Sequence, residues 1–183
     1  MIVVHGTDSN SDEHAAAEEL ANAARKAIPN IDDSHETVLE LFPGVQCFGQ
    51  KAQDIDLLVF FADYRHPDKL IKSVEGKVIH SFCVAVEVKS HFFDSVHFAG
   101  SKCYVKYDGY DHDVTSQSER QKYSVKTYIE RNSQTKKSPW IMNIIWLQNV
   151  HCDNLPKVDS NLIGSQPNWI DFIEKIALLN EWR

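Results

Sequence analysis

Between Asp54 and Ser90 the chain sets acidic side chains and one lysine inside two strongly hydrophobic stretches, DIDLLVFFAD and KVIHSFCVAVEVKS. Residues two apart in a strand share a face, so Glu87 and Lys89 point one way while Val86 and Val88 point the other. Asp54 and Asp56 likewise share a face, ahead of the apolar run Leu57 to Phe61. The run Val84 to Val88 is too β-branched and apolar for a surface loop and reads as a buried strand. A carboxylate or an ammonium there needs a counter-charge or a metal. These residues are therefore either mutually paired or a site for cation chemistry.

The elements that must position them can be read from the flanking chain. Asn10, Ser11 and Asp12 offer capping oxygens before EHAAAEELANAARKAI, an alanine-rich helix that stops at Pro29-Asn30. Glu13, Ala16, Ala17, Leu20, Ala24 and Ala27 fall near one face of it, which places Glu13 on the core side. A first strand runs from His35 to Gln46 and is broken by Pro43-Gly44. The polar connection Tyr64 to Lys77, as a hairpin or a short crossover, would set the two acidic strands side by side. Ser90 to His112 reads as a loop with a hairpin, rich in Phe and Tyr, whose aromatics form either a local mini-core or a base-stacking surface. His91, His97 and His112 fall in that loop as ordinary surface histidines. Thr115 to Arg131 is a helix with Gln117, Gln121, Val125, Tyr128 and Ile129 along one stripe. Trp140 to Val150 is a hydrophobic strand, Val158 to Asn168 a long loop, and Trp169 to Leu179 a closing amphipathic helix.

At 183 residues with 43% hydrophobic content, one domain spanning 1–183 is expected, its core at about 11–150 and its closing helix at 168–181. No apolar stretch reaches membrane-span length and the start lacks a signal peptide's basic end, so a soluble, cytoplasmic protein without membrane contact is expected. Cys47, Cys83, Cys103 and Cys152 are scattered without a CxxC pair, so neither a zinc knuckle nor a dense disulfide framework is indicated, and reduced thiols in or near a core are expected. The stretch GVQCFGQKA fails as a phosphate-binding loop, because Gln50 precedes Lys51 and Ala52 replaces the required hydroxyl. Net charge is −7, which opposes attraction to a polyanion, yet its distribution is uneven. Twelve acids precede Tyr64, while Arg120, Lys122, Lys126, Arg131, Lys136 and Lys137 cluster around Glu119 and Glu130. That cluster is either a nucleic-acid-binding patch or a solvated helix face.

Asp56 followed by a strand with Glu87-Val88-Lys89 resembles the D…(D/E)xK core of the PD-(D/E)xK nuclease superfamily. Within it, QDIDLLVFF…VAVEVKS is most similar to the nuclease-related domain (NERD) family, although Ile55 stands where the superfamily's proline would be. The resemblance covers roughly Glu13 to Val150. It implies a restriction-endonuclease-like α/β fold, a mixed central sheet of four or five strands flanked by the first, the glutamine-bearing and the closing helices. It also implies Mg²⁺- or Mn²⁺-dependent endonuclease chemistry on DNA, with Asp56, Glu87 and the Val88 carbonyl as metal ligands. Lys89 would orient or help deprotonate the attacking water and offset phosphate charge. Glu13 matches the family's helix glutamate and would serve a second ion or its water; a plain first-turn glutamate is the alternative. Gln117 or Gln121 matches the family's helix glutamine, and Arg120, Lys122 and Lys126 would contact DNA. Such domains often act beside a helicase or ATPase, fused or separate, or in defence against foreign DNA. An oligomer is compatible with all of this, and the end at Glu181-Trp182-Arg183 is compatible with a cut from a longer polypeptide. The competing expectation is an inactive nuclease-like module that binds nucleic acid or protein, its charges locked in a structural ion cluster.

Overall fold

The computed structural model describes residues 1–6, 11–156, 161–165 and 168–180, and the architecture is mixed α/β with three α-helices. The chain starts in a short strand, β1 (Ile2–Val4), and then enters α1 (Asp12–Ala27). Ser11 caps α1 by accepting from the His14 N–H at 3.1 Å, while Asn10 lies outside the described residues. Two long strands, β2 (Thr37–Gln46) and β3 (Asp54–Asp63), form the antiparallel pair that carries the DID motif. The connection that follows folds into a small hairpin of β4 (Ile71–Lys72) and β5 (Val78–Ile79), and it returns the chain into β6 (Ser81–Phe92). Next come three strands of a separate sheet, β7 (Val96–Ala99), β8 (Lys102–Tyr107) and β9 (Tyr110–Asp113). After them run α2 (Val114–Asn132), β10 (Ile141–Asn149), β11 (Leu162–Ile163) and α3 (Trp169–Asn180).

The central sheet has six strands in the order β1-β2-β3-β6-β10-β11. β2, β3 and β6 pair antiparallel in turn, whereas β1–β2, β6–β10 and β10–β11 are parallel. The expectation of four or five strands missed an edge: β1 and β11 are three and two residues long, too short for any period to register. β6 and β10 sit centrally and are buried along most of their length, which is why both read as unbroken apolar runs.

Each face of the sheet is covered differently. Leu57, Val59, Val84, Val86, Met142 and Ile144 pack with α1 and α3 into the main core. Ala16, Ala17, Leu20, Ala21 and Ala24 make the contact from α1, so Ala21 takes the place expected for the exposed Ala27. On the other face Leu58, Cys83, Ala85 and Ile141 meet Val125, Tyr128 and Ile129 of α2. Beside them Ile145 and Leu147 meet Val96, Cys103 and Val105 of the three-stranded sheet.

Three local expectations change. Ser90 to Phe92 belong to β6 and Val96 to Asp113 form a three-stranded sheet rather than a loop with a hairpin; its core is Val96, Cys103 and Val105 with Phe98 packed against it, while Phe92, Phe93, Tyr107 and Tyr110 are exposed. Pro43-Gly44 does not end β2: Pro43 pairs with Leu57 and Val45 with Ile55 on either side of Gly44. Gly44 instead takes φ +62, a left-handed conformation that suits glycine, and it resets the alternation of side chains. Leu39 and Leu41 face the main core before it, and Val45 joins the opposite cluster after it. The long loop after Val158 lies partly outside the described residues and holds β11. Among the described residues no helix is long and apolar enough to cross a membrane.

Candidate functional site

The ladder between β3 and β6 closes at Leu57–Val86, and the next residues in each strand are Asp56 and Glu87. Here the Val88 N–H donates to Asp56 Oδ2 at 2.8 Å, so the aspartate bridges the strands where regular pairing stops. The connection Tyr64 to Lys77 does set the two acidic strands side by side, and they run antiparallel. Glu87 and Lys89 continue the α2-facing row of Cys83 and Ala85. Glu87 is fully buried (0% exposed), and Lys89, 16% exposed at its side chain, donates from Nζ to Glu87 Oε1. Among the described residues Glu87 Oε2 is buried without a hydrogen-bond partner.

Burial pushes the Asp56 carboxyl up to about 6, and the neighbouring Glu87 charge pushes it the same way. Lys89 and the Val88 N–H pull it back, and Glu13 adds a smaller upward push. Glu13 stands in the first turn of α1, and with Asp54 and Asp56 it lines a cleft of about 480 Å³. Gly44 lines the same cleft, and a Cβ built there would meet nothing within 4 Å. The left-handed glycine thus leaves open space beside the carboxylates.

From α2, Gln121 Nε2 donates to the Asp54 carbonyl at 3.0 Å, while its Oε1 is buried and, among the described residues, unpartnered. Gln117 lies about one turn earlier on the same helix, half-buried. Asp54 itself is exposed and accepts from Gln46 Nε2 at 2.5 Å. Arg120, Lys122 and Lys126 lie further round α2, with Arg120 and Lys126 exposed and Lys122 half-buried.

Sequence reasoning missed His91. It belongs to β6, not to a loop, and extends the period-two row Glu87, Lys89 by one step. Its ring lies 5.7 Å from that of Tyr107, which stacks on His112 at 3.5 Å. Burial first, then Lys89 and His112, hold the His91 imidazole below its usual pKa. The signal was the pattern E-x-K-x-H, legible only if the strand runs past Ser90.

Four carboxylates, a lysine, an imidazole and an amide therefore gather where β3 begins and β6 ends. Buried Glu87 keeps one oxygen without a donor among the described residues, and half-buried Asp56 stands beside it, a donor set that fits a hard divalent cation. His151, Cys152 and Asp153 also place ligand atoms within 4.8 Å, but on an exposed turn where His151 Nδ1 already accepts from the Asp153 N–H. Cys47, Cys83 and Cys103 are buried free thiols, with Cys83 and Cys103 pushed up to about 12 chiefly by burial, so neither offers a thiolate.

Compared with family models, curated proteins and solved structures, the chain finds no match.

Proposed function

We propose that this chain is a metal-dependent nuclease module of restriction-endonuclease-like fold that hydrolyses DNA phosphodiester bonds. The observation that carries the reading is the pair Asp56 and Glu87. One carboxylate is fully buried with an oxygen left unpartnered among the described residues, and the other is already penalised by burial and by its neighbour. An uncompensated buried charge costs several kcal/mol, so the pair calls for a cation beyond what Lys89 supplies. Support also comes from chain order: a glutamate-bearing helix, the DID strand, the E-x-K strand and the glutamine helix follow as the resemblance anticipates.

Asp56 and Glu87 would hold Mg²⁺ or Mn²⁺, with the Val88 carbonyl as a third ligand. When bound, the ion supplies neutralisation of phosphate charge and a more acidic water. Lys89, on its flexible stem two residues from Glu87, offsets charge on the scissile phosphate and orients the attacking water. Glu13 lines the same cleft from α1 and serves a second ion or its water. Gln121 ties α2 to the start of β3 and keeps one acceptor for the lysine or the water. Arg120, Lys122 and Lys126 meet the DNA backbone.

Labelled DNA incubated with Mg²⁺ or Mn²⁺ tests this. Cleavage is expected with the parent chain and should fall at least about 100-fold in Lys89→Ala and Glu87→Ala, the scale of losing one electrostatic group. Equal cleavage by both variants would sink the site.

The closed Lys89–Glu87 pair favours a second reading, an inactive module whose charges are structural. It predicts salt-sensitive, metal-independent DNA binding. Calorimetric Mn²⁺ binding that disappears in Asp56→Ala separates the two in favour of the enzyme.

A further inference from the structure

The chain carries net charge −7, yet one groove of about 540 Å³ collects Lys122, Lys126, Lys136 and Lys137 against, among the described residues, a single acid, Glu130. It lies between the C-terminal half of α2 and the start of β10. Two aromatic rings stand in it: Trp140 is 54% exposed and Tyr123 61% exposed. Aromatic rings that open into a basic groove can serve as stacking platforms for bases. Lys122 Nζ lies 5.0 Å from the centre of the Tyr123 ring, so one cation is already held at an aromatic face. A second cleft of about 360 Å³ shares Lys122, Trp140 and Ile141 and extends the groove along α2.

The groove is connected to the acidic centre in two ways. Lys122 follows Gln121 in α2, and Gln121 holds the Asp54 carbonyl. Ile141, which also lines the groove, pairs with Cys83 of β6, whereas Ile145 pairs with Glu87. Four residues of strand separate the two, roughly 13 Å. Ile141 and the row leading to Glu87 and Lys89 lie on the same face of the sheet.

We propose that this groove binds a single-stranded nucleic-acid segment, with bases stacked on Trp140 and Tyr123 and phosphates held by the four lysines. It would hold the strand on one side of the acidic centre and so favour substrates with an unpaired flank. A duplex keeps its bases stacked inside and has no use for the two rings. The specificity part rests on the nuclease reading, while the binding part does not.

The experiment uses the full chain, with metal chelated, and follows anisotropy of a labelled oligothymidylate of about sixteen nucleotides across a salt series. Trp140→Ala should weaken binding roughly 10- to 100-fold, whereas Trp140→Phe should keep most of it. Lys136→Gln with Lys137→Gln should reduce the slope of log affinity against log salt by about 1.4, near 0.7 for each phosphate left without its lysine. These residues are exposed, and an unchanged far-UV circular dichroism spectrum confirms folding of each variant. Equal affinity of parent and Trp140→Ala would overturn the proposal, as would equal competition by a blunt duplex or by polyglutamate, the mark of a site for acidic peptides. Cleavage with Mg²⁺ is read separately. Tight, Trp140-dependent binding without cleavage leaves the groove standing and removes the nuclease reading; cleavage with Trp140-independent binding does the reverse.

Discussion

Asp56 and Glu87 meet at the first position beyond the β3–β6 ladder, where backbone pairing has stopped and side chains must satisfy one another. Asp56 titrates at about 6 in the folded chain against an ordinary 3.8, because burial and Glu87 disfavour its charge. A raised folded-state value means that protonated Asp56 stabilises the metal-free protein fully below pH 3.8, and that this is lost as pH rises through 6. Ionised Asp56 therefore costs about 2–3 kcal/mol at neutral pH. Asp56→Asn keeps an acceptor for the Val88 N–H without the charge. Urea unfolding in chelator should show it about 1–3 kcal/mol more stable than the parent at a pH of about 7.5, with little gain near pH 4. The carboxylates and Lys89 were legible in the sequence because charge inside a β-branched run contradicts its surroundings. His91 was not, since Ser90 and His91 are polar and hide the strand's true end. Nor could the sequence choose between Gln117 and Gln121: both lie on the stripe, and only packing against Asp54 separates them.

At the scale of elements, the long strands and the three helices followed from period and capping, while the short edges did not. β1 and β11 are held by parallel partners far along the chain, an interaction that leaves no mark in three residues. Gly44 was misread for a related reason: Pro-Gly ordinarily ends a strand, yet here the pairing continues through it. The other end of β3 is fastened by Asp63, which accepts from Arg65 Nε at 2.8 Å, Arg65 Nη2 at 2.6 Å and Thr37 Oγ1 at 3.3 Å. Burial raises its pKa, but the Arg65 and Thr37 interactions outweigh burial and leave it below the usual carboxylate range. A depressed folded-state value contributes stability above the unfolded pKa of 3.8, and that stability fades as pH falls below it. Asp63→Asn should unfold roughly 2–4 kcal/mol more easily than the parent at neutral pH, by loss of a charge-assisted fork at a buried strand end. The deficit should narrow when denaturant melts are repeated near pH 3.

For the whole molecule, the sheet divides labour between its faces. One face is sealed by α1 and α3 around an alanine-rich contact, and the other carries α2, which bears Gln121 at the acidic centre and Lys122 and Lys126 of the groove, while Lys136 and Lys137 follow it toward β10. A net charge of −7 is then less of a barrier to a polyanion than it looked, because four lysines lie together in one groove. The Lys89–Glu87 contact has a consequence of another kind. On the proposed metal-dependent reading, the ammonium resting on the buried carboxylate is the protein's own placeholder for the cation, so the fold does not wait for loading. Stripping divalent ions with chelator should leave the melting temperature within roughly 5 °C of an untreated sample, unlike small zinc domains that unfold without their ion. Calorimetry should then find reloading complete and repeatable over many cycles. On the proposed metal-dependent reading, such a chain would be made, stored and moved in an idle form, with local ion supply deciding when it is armed.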